Sequence, residues 1–200
     1  MSLTWMRDGT SLFLDAVDHL GDDDYAAPSG LPGWTRAHLV AHVAANADAL
    51  RNLVHWAATG VETPMYASPR QRADDIAAGA LRAPADLRFW AHSSAAALAG
   101  DLGGLDESRW QASVVTAQGR TVPATEILWM RSREVWIHAV DLDTGITFAD
   151  LPTDFLTRLV DEIAARRGLD DVPAGPLADV AAYLAGRPHG LDAEPLGPWL

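Results

Sequence analysis

From Arg131 to Asp141 the chain reads R-S-R-E-V-W-I-H-A-V-D, and this stretch constrains the fold most. Glu134 and His138 stand four residues apart, so in a helix they share one face, a turn apart. Arg131 and Asp141, at −3 and +7 from Glu134, fall on the same stripe. The setting W-I-H-A-V is apolar. A carboxylate and an imidazole beside such a surface are costly to bury without a partner. The segment therefore calls for a facing element that brings further ligands. His38 and His42 repeat the four-residue spacing in a second amphipathic stretch upstream.

The rest of the chain reads as more helices. Apolar positions Leu12, Leu14, Val17 and Leu20 predict a first helix over about Leu3 to Leu20, with Gly9 weakening its start. The Gly-, Pro- and Asp-rich run from Gly21 to Trp34 is a loop. Thr35 then caps a long helix, Arg36 to Thr59, stopped by Gly60. Ser68 and Pro69 open a helix to about Leu81, interrupted near Pro84 and resumed from Ala85 to Leu102. A short hairpin between Ser113 and Pro123 comes next. Pro123 is expected to open the longest helix, about 123 to 143, which carries the Glu134/His138 stripe. Beyond Gly145, helices are expected from Pro152 to Arg167 and from Pro176 to Ala185. The fold class is mainly α: a four-helix bundle over residues 1–148, with a small C-terminal appendage over 149–200.

Composition narrows the chemistry. A net charge of −12 disfavours nucleic acid and acidic membrane surfaces as partners. No apolar run approaches membrane-spanning length and no signal peptide is visible, so the expected location is the cytoplasm. The chain has no Cys, which removes disulfides, thiolate ligands and a cysteine nucleophile. It has no Lys either, since all 15 basic residues are Arg; that removes a Schiff-base lysine and a Walker-type phosphate loop. Any thiol chemistry must use an external thiol. The Lys-free composition, rich in Ala, Arg, Asp and Gly, suggests a GC-rich bacterial source.

A catalytic zinc takes three protein ligands and keeps a position open for water or substrate. Without Cys, the ligands must be His and carboxylate. Glu134 and His138 supply two, and His42 or His38 from the facing helix supplies the third. Asp141 is placed to orient a histidine from behind. Arg72 and Arg187 are candidate carboxylate clamps. Trp34, Trp56, Trp129 and Trp136 suit bundle packing, while His19, His55 and His92 stand alone as packing or surface residues.

With these residues in view, the chain resembles the mycothiol-dependent maleylpyruvate isomerases of actinobacteria, within the DinB-like helical-bundle metalloproteins. The likeness is carried by G-W-T-R-A-H-L-V-A-H-V-A-A-N-A-D-A-L from Gly33, H-W-A-A-T-G-V-E-T-P-M-Y from His55 and T-A-Q-G-R-T-V-P-A-T-E-I-L-W-M-R-S-R-E-V-W-I-H-A-V-D-L from Thr116. A-G-R-P-H-G and the closing P-W-L extend it to the C-terminus. The resemblance implies Zn²⁺ on His42, Glu134 and His138, favouring His42 over His38. It implies Arg187 in catalysis or substrate binding and Arg72 in substrate binding, while Asp141 and Arg131 are expected behind the ligands from their place on the same helical stripe. The chain departs from the family pattern in one respect: only R-G-L-D-D-V-P-A-G joins its last two helices, where family members carry a longer region with β-strands, so a shortened C-terminal region, α or α/β, is expected.

The family reaction turns maleylpyruvate into fumarylpyruvate in gentisate breakdown. A C=C bond does not rotate freely, so the expected route is thiolate addition, rotation about the new single bond and elimination. Mycothiol would supply the sulfur, and Zn²⁺ would lower its pKa. Two other readings differ in kind. One is another mycothiol-dependent transferase acting on a different electrophile; the other is a non-enzymatic metal-binding regulator.

Overall fold

The computed structural model describes residues 2–197 and Trp199. Of the closing P-W-L, Pro198 and Leu200 lie outside the described residues. The chain divides into two compact units, Met1–Thr144 and Gly145–Leu200, where the sequence placed the division after residue 148. Phe148 is buried, and its 3-10 turn packs on the last helix of the second unit.

The first unit contains α1 (Ser2–Asp18), α2 (Arg36–Thr59), α3 (Pro69–Gly79), α4 (Pro84–Gly103) and α5 (Glu126–Asp141). Helix α1 packs on α5, and α2 on α3, α4 and α5. Thr35 Oγ1 accepts the His38 backbone N–H at 3.4 Å, which fixes the start of α2. Gly60, at φ 78°, ends α2 in the left-handed conformation that suits glycine. A hairpin of β1 (Ser113–Val115) and β2 (Thr121–Pro123) pairs Val114 with Val122. Leu50, Leu53, Leu98 and Ile127 are almost fully buried in the core cluster. Each contributes roughly 1.5–3 kcal/mol by leaving water.

Two proline readings change. Pro84 does not interrupt a helix; it is the first residue of α4, where its missing N–H is harmless. Pro123 does not open α5; it closes β2 opposite Ser113, so α5 begins at Glu126. The longest helix is consequently α2, with 24 residues, and α5 has 16.

Gly9, which weakens α1 by propensity, sits where α1 meets α5. A Cβ there would lie 2.7 Å from Trp136 Nε1 and 2.8 Å from Val135 Cγ2. The same approach lets Trp136 Nε1 donate to the Trp5 carbonyl at 2.8 Å. The absent side chain thus brings α1 close to the helix that carries the Glu134/His138 stripe.

The second unit contains α6 (Thr153–Arg167), ended by Gly168 at φ 65°, and α7 (Leu177–Leu184). Phe155, Leu159, Ile163 and Leu184 form its interior. No strand occurs in this unit among the described residues, so its regular structure is helical. No helix of the described residues is long and apolar enough to cross a membrane.

Gly9→Ala would raise helix propensity by about 0.5–1 kcal/mol at an open site. Here the overpacking against Trp136 is expected to win, costing about 1–3 kcal/mol in net stability by urea denaturation. A more stable variant would show that α1 and α5 are not in close contact at this point.

Candidate metal centre

Helices α2 and α5 face each other, and the stripe on α5 meets His42 on α2. His42 Nε2 lies 2.9 Å from Glu134 Oε2 and 3.1 Å from His138 Nε2. His138 Nε2 is 3.3 Å from Glu134 Oε2. Three potential ligand atoms on two helices therefore converge on one small volume. Zinc bonds of about 2.0–2.1 Å at tetrahedral angles set ligand atoms roughly 3.3 Å apart. The observed spacings need little adjustment, and the donor set of two imidazoles and a carboxylate suits a divalent metal of the zinc type.

His38 does not join this group. Its Nδ1 lies 2.7 Å from Thr35 Oγ1, so the capping of α2 engages the ring. Spacing put His38 and His42 on one face; the helix cap separates their roles.

The surroundings hold the three side chains in place. Asp141 Oδ2 accepts from His138 Nδ1 at 2.9 Å, one turn further along α5. That bond fixes the tautomer that leaves the Nε2 lone pair facing the cluster. Arg131 is buried and its NH1 donates to the Val43 carbonyl at 2.7 Å and to Asn46 Oδ1 at 2.9 Å, tying α5 to α2. Burial lowers the Arg131 pKa to about 10, so the guanidinium stays charged one turn from Glu134. Gly30 N–H donates to the Asp141 carbonyl at 2.7 Å, and Arg36 Nε to the Leu142 carbonyl at 2.7 Å. The loop before α2 and the start of α2 thereby cap the end of α5.

The electrostatics separate the two histidines. Burial lowers the His42 pKa against the pull of Glu134. Burial also opposes charge on His138, but its hydrogen bonds to the Asp141 and Glu134 carboxylates outweigh it and raise its pKa. For Glu134, burial favours the neutral acid, yet the two histidines hold its carboxyl well below the usual range. The cluster thus presents an ionised carboxylate and only one histidine prone to protonation, close to the ionisation state that metal ligation requires.

Three further side chains border the cluster. The Trp34 ring stands edge-on to His42 at 5.5 Å between centroids. Arg72 NH2 is 3.3 Å from His42 Nδ1, and its Cζ lies 5.8 Å from the Tyr66 ring centroid. Burial, and then the Glu134 charge, raise the Tyr66 pKa and keep its hydroxyl protonated. Tyr66 was not singled out from sequence; its only signal was its place in the P-M-Y after Thr63. Arg187 belongs to the second unit, just after α7; it is buried, and its NH1 donates to the Ala185 carbonyl at 2.6 Å. His19, His55 and His92 are exposed, and His92 Nε2 meets Asp18 Oδ1 at 2.9 Å.

Comparison with known proteins agrees with this arrangement. The family described as mycothiol maleylpyruvate isomerase N-terminal domain matches residues 6–143. The chain belongs to the mycothiol maleylpyruvate isomerase family. It is also similar, at 41% identity and a TM-score of 0.93, to a crystal structure of the mycothiol-dependent maleylpyruvate isomerase. That match covers 99% of this chain and 95% of the other. A structure of a histidine-to-alanine mutant of that isomerase gives the same identity and coverage, with a TM-score of 0.92. No curated protein sequence matches the chain. Against these isomerase structures little of the C-terminal region is missing, so the shortening expected from the sequence is slight by this measure.

Removing the acceptor behind His138 should loosen the isomerase-family cluster without dismantling it. Asp141→Asn is expected to weaken zinc affinity about 10–100-fold, read by competition with a chromophoric chelator. His42→Ala should abolish stoichiometric binding. Undiminished zinc affinity in His42→Ala would show that the ion binds elsewhere.

Proposed function

We propose that this protein is a zinc- and mycothiol-dependent isomerase that converts maleylpyruvate to fumarylpyruvate. One observation carries the reading: likeness to the isomerase at 41% identity runs over 99% of the chain and includes the helices that bear the His42, Glu134 and His138 cluster. The two histidines and the carboxylate would hold Zn²⁺. When bound, the cation supplies a Lewis acid that lowers a thiol pKa, and mycothiol supplies the nucleophilic sulfur this Cys-free chain lacks.

The chain's own residues do the rest. Asp141 keeps the His138 proton on Nδ1, so Nε2 is available as a ligand. Arg131 and the Arg36 cap hold α5 against α2, which keeps the three ligand atoms together. Trp34 and the surrounding core restrict water around His42, and this strengthens electrostatic interactions there. Arg72 has a second role. Were His42 Nε2 to hold a cation, the imidazole proton would sit on Nδ1, and Arg72 NH2, 3.3 Å away, would face a donor there. The Arg72 guanidinium would then be available to pair with an anion, and a substrate carboxylate is the anion this reaction offers. Arg187, from the A-G-R of the family likeness, is assigned the second carboxylate clamp and the negative charge that develops on the substrate. The place of action is the cytoplasm, where a small thiol stays reduced. The partners are small molecules.

The decisive test is isomerisation of maleylpyruvate by the zinc-loaded protein, with mycothiol and with no thiol. Fumarylpyruvate should form only with mycothiol. Equal turnover without thiol would reject the external nucleophile, and no turnover in either condition would move the assignment to another mycothiol-dependent reaction. Arg187→Ala should keep zinc and lose about 100-fold or more in kcat/KM, the scale of a lost charged transition-state contact. Unchanged kinetics would remove Arg187 from the reaction.

A further inference from the structure

The first unit holds a second concave feature. A cavity of about 990 Å³ lies against α2, α3 and α4, at the upper end of the range for small-molecule sites. None of the three cluster residues lines it; its lining includes Ala45, Asn52 and Tyr66. Ala45, Ala49 and Asn52 follow His42 at +3, +7 and +10 and share its face of α2. The groove therefore begins one turn from His42 and follows α2 to Ala58, about 20 Å at helical rise. Tyr66 links the two features, since it lines the groove and its ring centroid lies 5.8 Å from Arg72 Cζ, while Arg72 NH2 is 3.3 Å from His42 Nδ1.

The polar groups along this groove are already ordered. Arg51 Nε donates to Asp101 Oδ2 at 2.6 Å, and Arg51 NH1 lies 3.7 Å from Asp48 Oδ1. Trp90 Nε1 donates to Asp48 Oδ2 at 2.8 Å. The side chains of Arg51, Asp48 and Asp101 remain about two-fifths exposed, so solvent or a ligand reaches them. Such a fixed alternation of donors and acceptors binds with little reorganisation. An apolar ligand would strip water from those charged groups and offer no hydrogen bond in return. A dianion such as maleylpyruvate would meet three carboxylates, Asp48, Asp75 and Asp101, against two guanidiniums, Arg51 and Arg82. A neutral ligand rich in hydroxyls suits both, because each hydroxyl donates and accepts.

We propose that this groove holds the hydroxyl-rich sugar–cyclitol body of mycothiol, with the thiol end directed past Tyr66 to the His42, Glu134 and His138 cluster. The proposal rests on the function proposed above and adds where the non-reacting part of the thiol binds. It separates the two reactants: the anionic substrate takes Arg72 beside His42, and the neutral body of the cofactor takes the groove.

Gly100 gives a clean test. It lines the groove, its backbone is helical, and a Cβ there would meet nothing within 4 Å. Gly100→Trp should therefore fill the groove without disturbing the bundle. Asp101→Leu is the independent variant, removing the partner of Arg51. Two measurements apply to the zinc-loaded protein. Calorimetry with N-acetylglucosaminyl-inositol, the neutral mycothiol body with an acetyl group in place of its cysteine, should show binding to the parent chain and at least about tenfold weaker binding to both variants. Steady-state kinetics should show the KM for mycothiol raised by a similar factor, with the KM for maleylpyruvate unchanged. If the parent protein turns over with mycothiol but neither variant, folded by circular dichroism, alters probe affinity or thiol KM, the groove assignment is overturned. If the probe binds and the variants weaken it while the parent does not isomerise maleylpyruvate, the groove stands and the reaction falls.

Discussion

The fold is organised around the cost of placing an ionised carboxylate and two imidazoles between α2 and α5. Left alone, such a group would destabilise the interior by several kcal/mol. The structure meets that cost in layers. Glu134 is held ionised by His42 and His138, His138 is satisfied by Asp141, and Arg131 sends its N–H groups to α2. Each of these links crosses from one helix to its partner or fixes a ligand on its own helix. The cluster is thus both the main liability of the bundle and the reason its helices are pinned in one register.

The same constraint explains features that look unrelated. Gly9 lets α1 approach α5 closely behind the ligand stripe, so α5 is supported from the face opposite α2. The bond from Gly30 to the Asp141 carbonyl and the Arg36 bonds beyond it fasten the end of α5, where Asp141 must hold its angle. A helix free to fray at that end would release His138. Precision at the ligands is therefore obtained from backbone contacts one and two turns away.

Much of this was legible in the sequence because helical periodicity and caps are local signals. Thr35, Gly60 and the Glu134/His138 spacing each report a single element, and each element stands close to where it was read. The choice between His38 and His42 was not legible from spacing, since both lie on one face. It is decided by Thr35 Oγ1, a cap contact that engages the His38 ring. Pro123 was misread because proline suits both the first turn of a helix and the end of an edge strand, and only pairing with Ser113 separates them. Tyr66 and the groove were invisible for another reason. They depend on which residues of α2, α3 and α4 face one another, and no periodicity encodes that.

A chain without cysteine that holds a metal-ligand cluster has divided its labour. In the proposed reaction the bundle would supply rigid ligands, positive charge and exclusion of water, while the reactive sulfur would arrive with a diffusible molecule. That division makes binding of the thiol part of catalysis, because binding energy gathered far from the reacting atoms can be used to position them. A groove running along α2 from one turn beyond His42 is the kind of surface on which that energy can be collected. Its paired Asp and Arg side chains offer hydrogen bonds without a strong net field, so a neutral, hydroxyl-rich molecule gains there and an anionic substrate does not. The acidic balance of the whole chain points the same way: an anion gains little from the general surface and is favoured only where arginines stand apart from carboxylates.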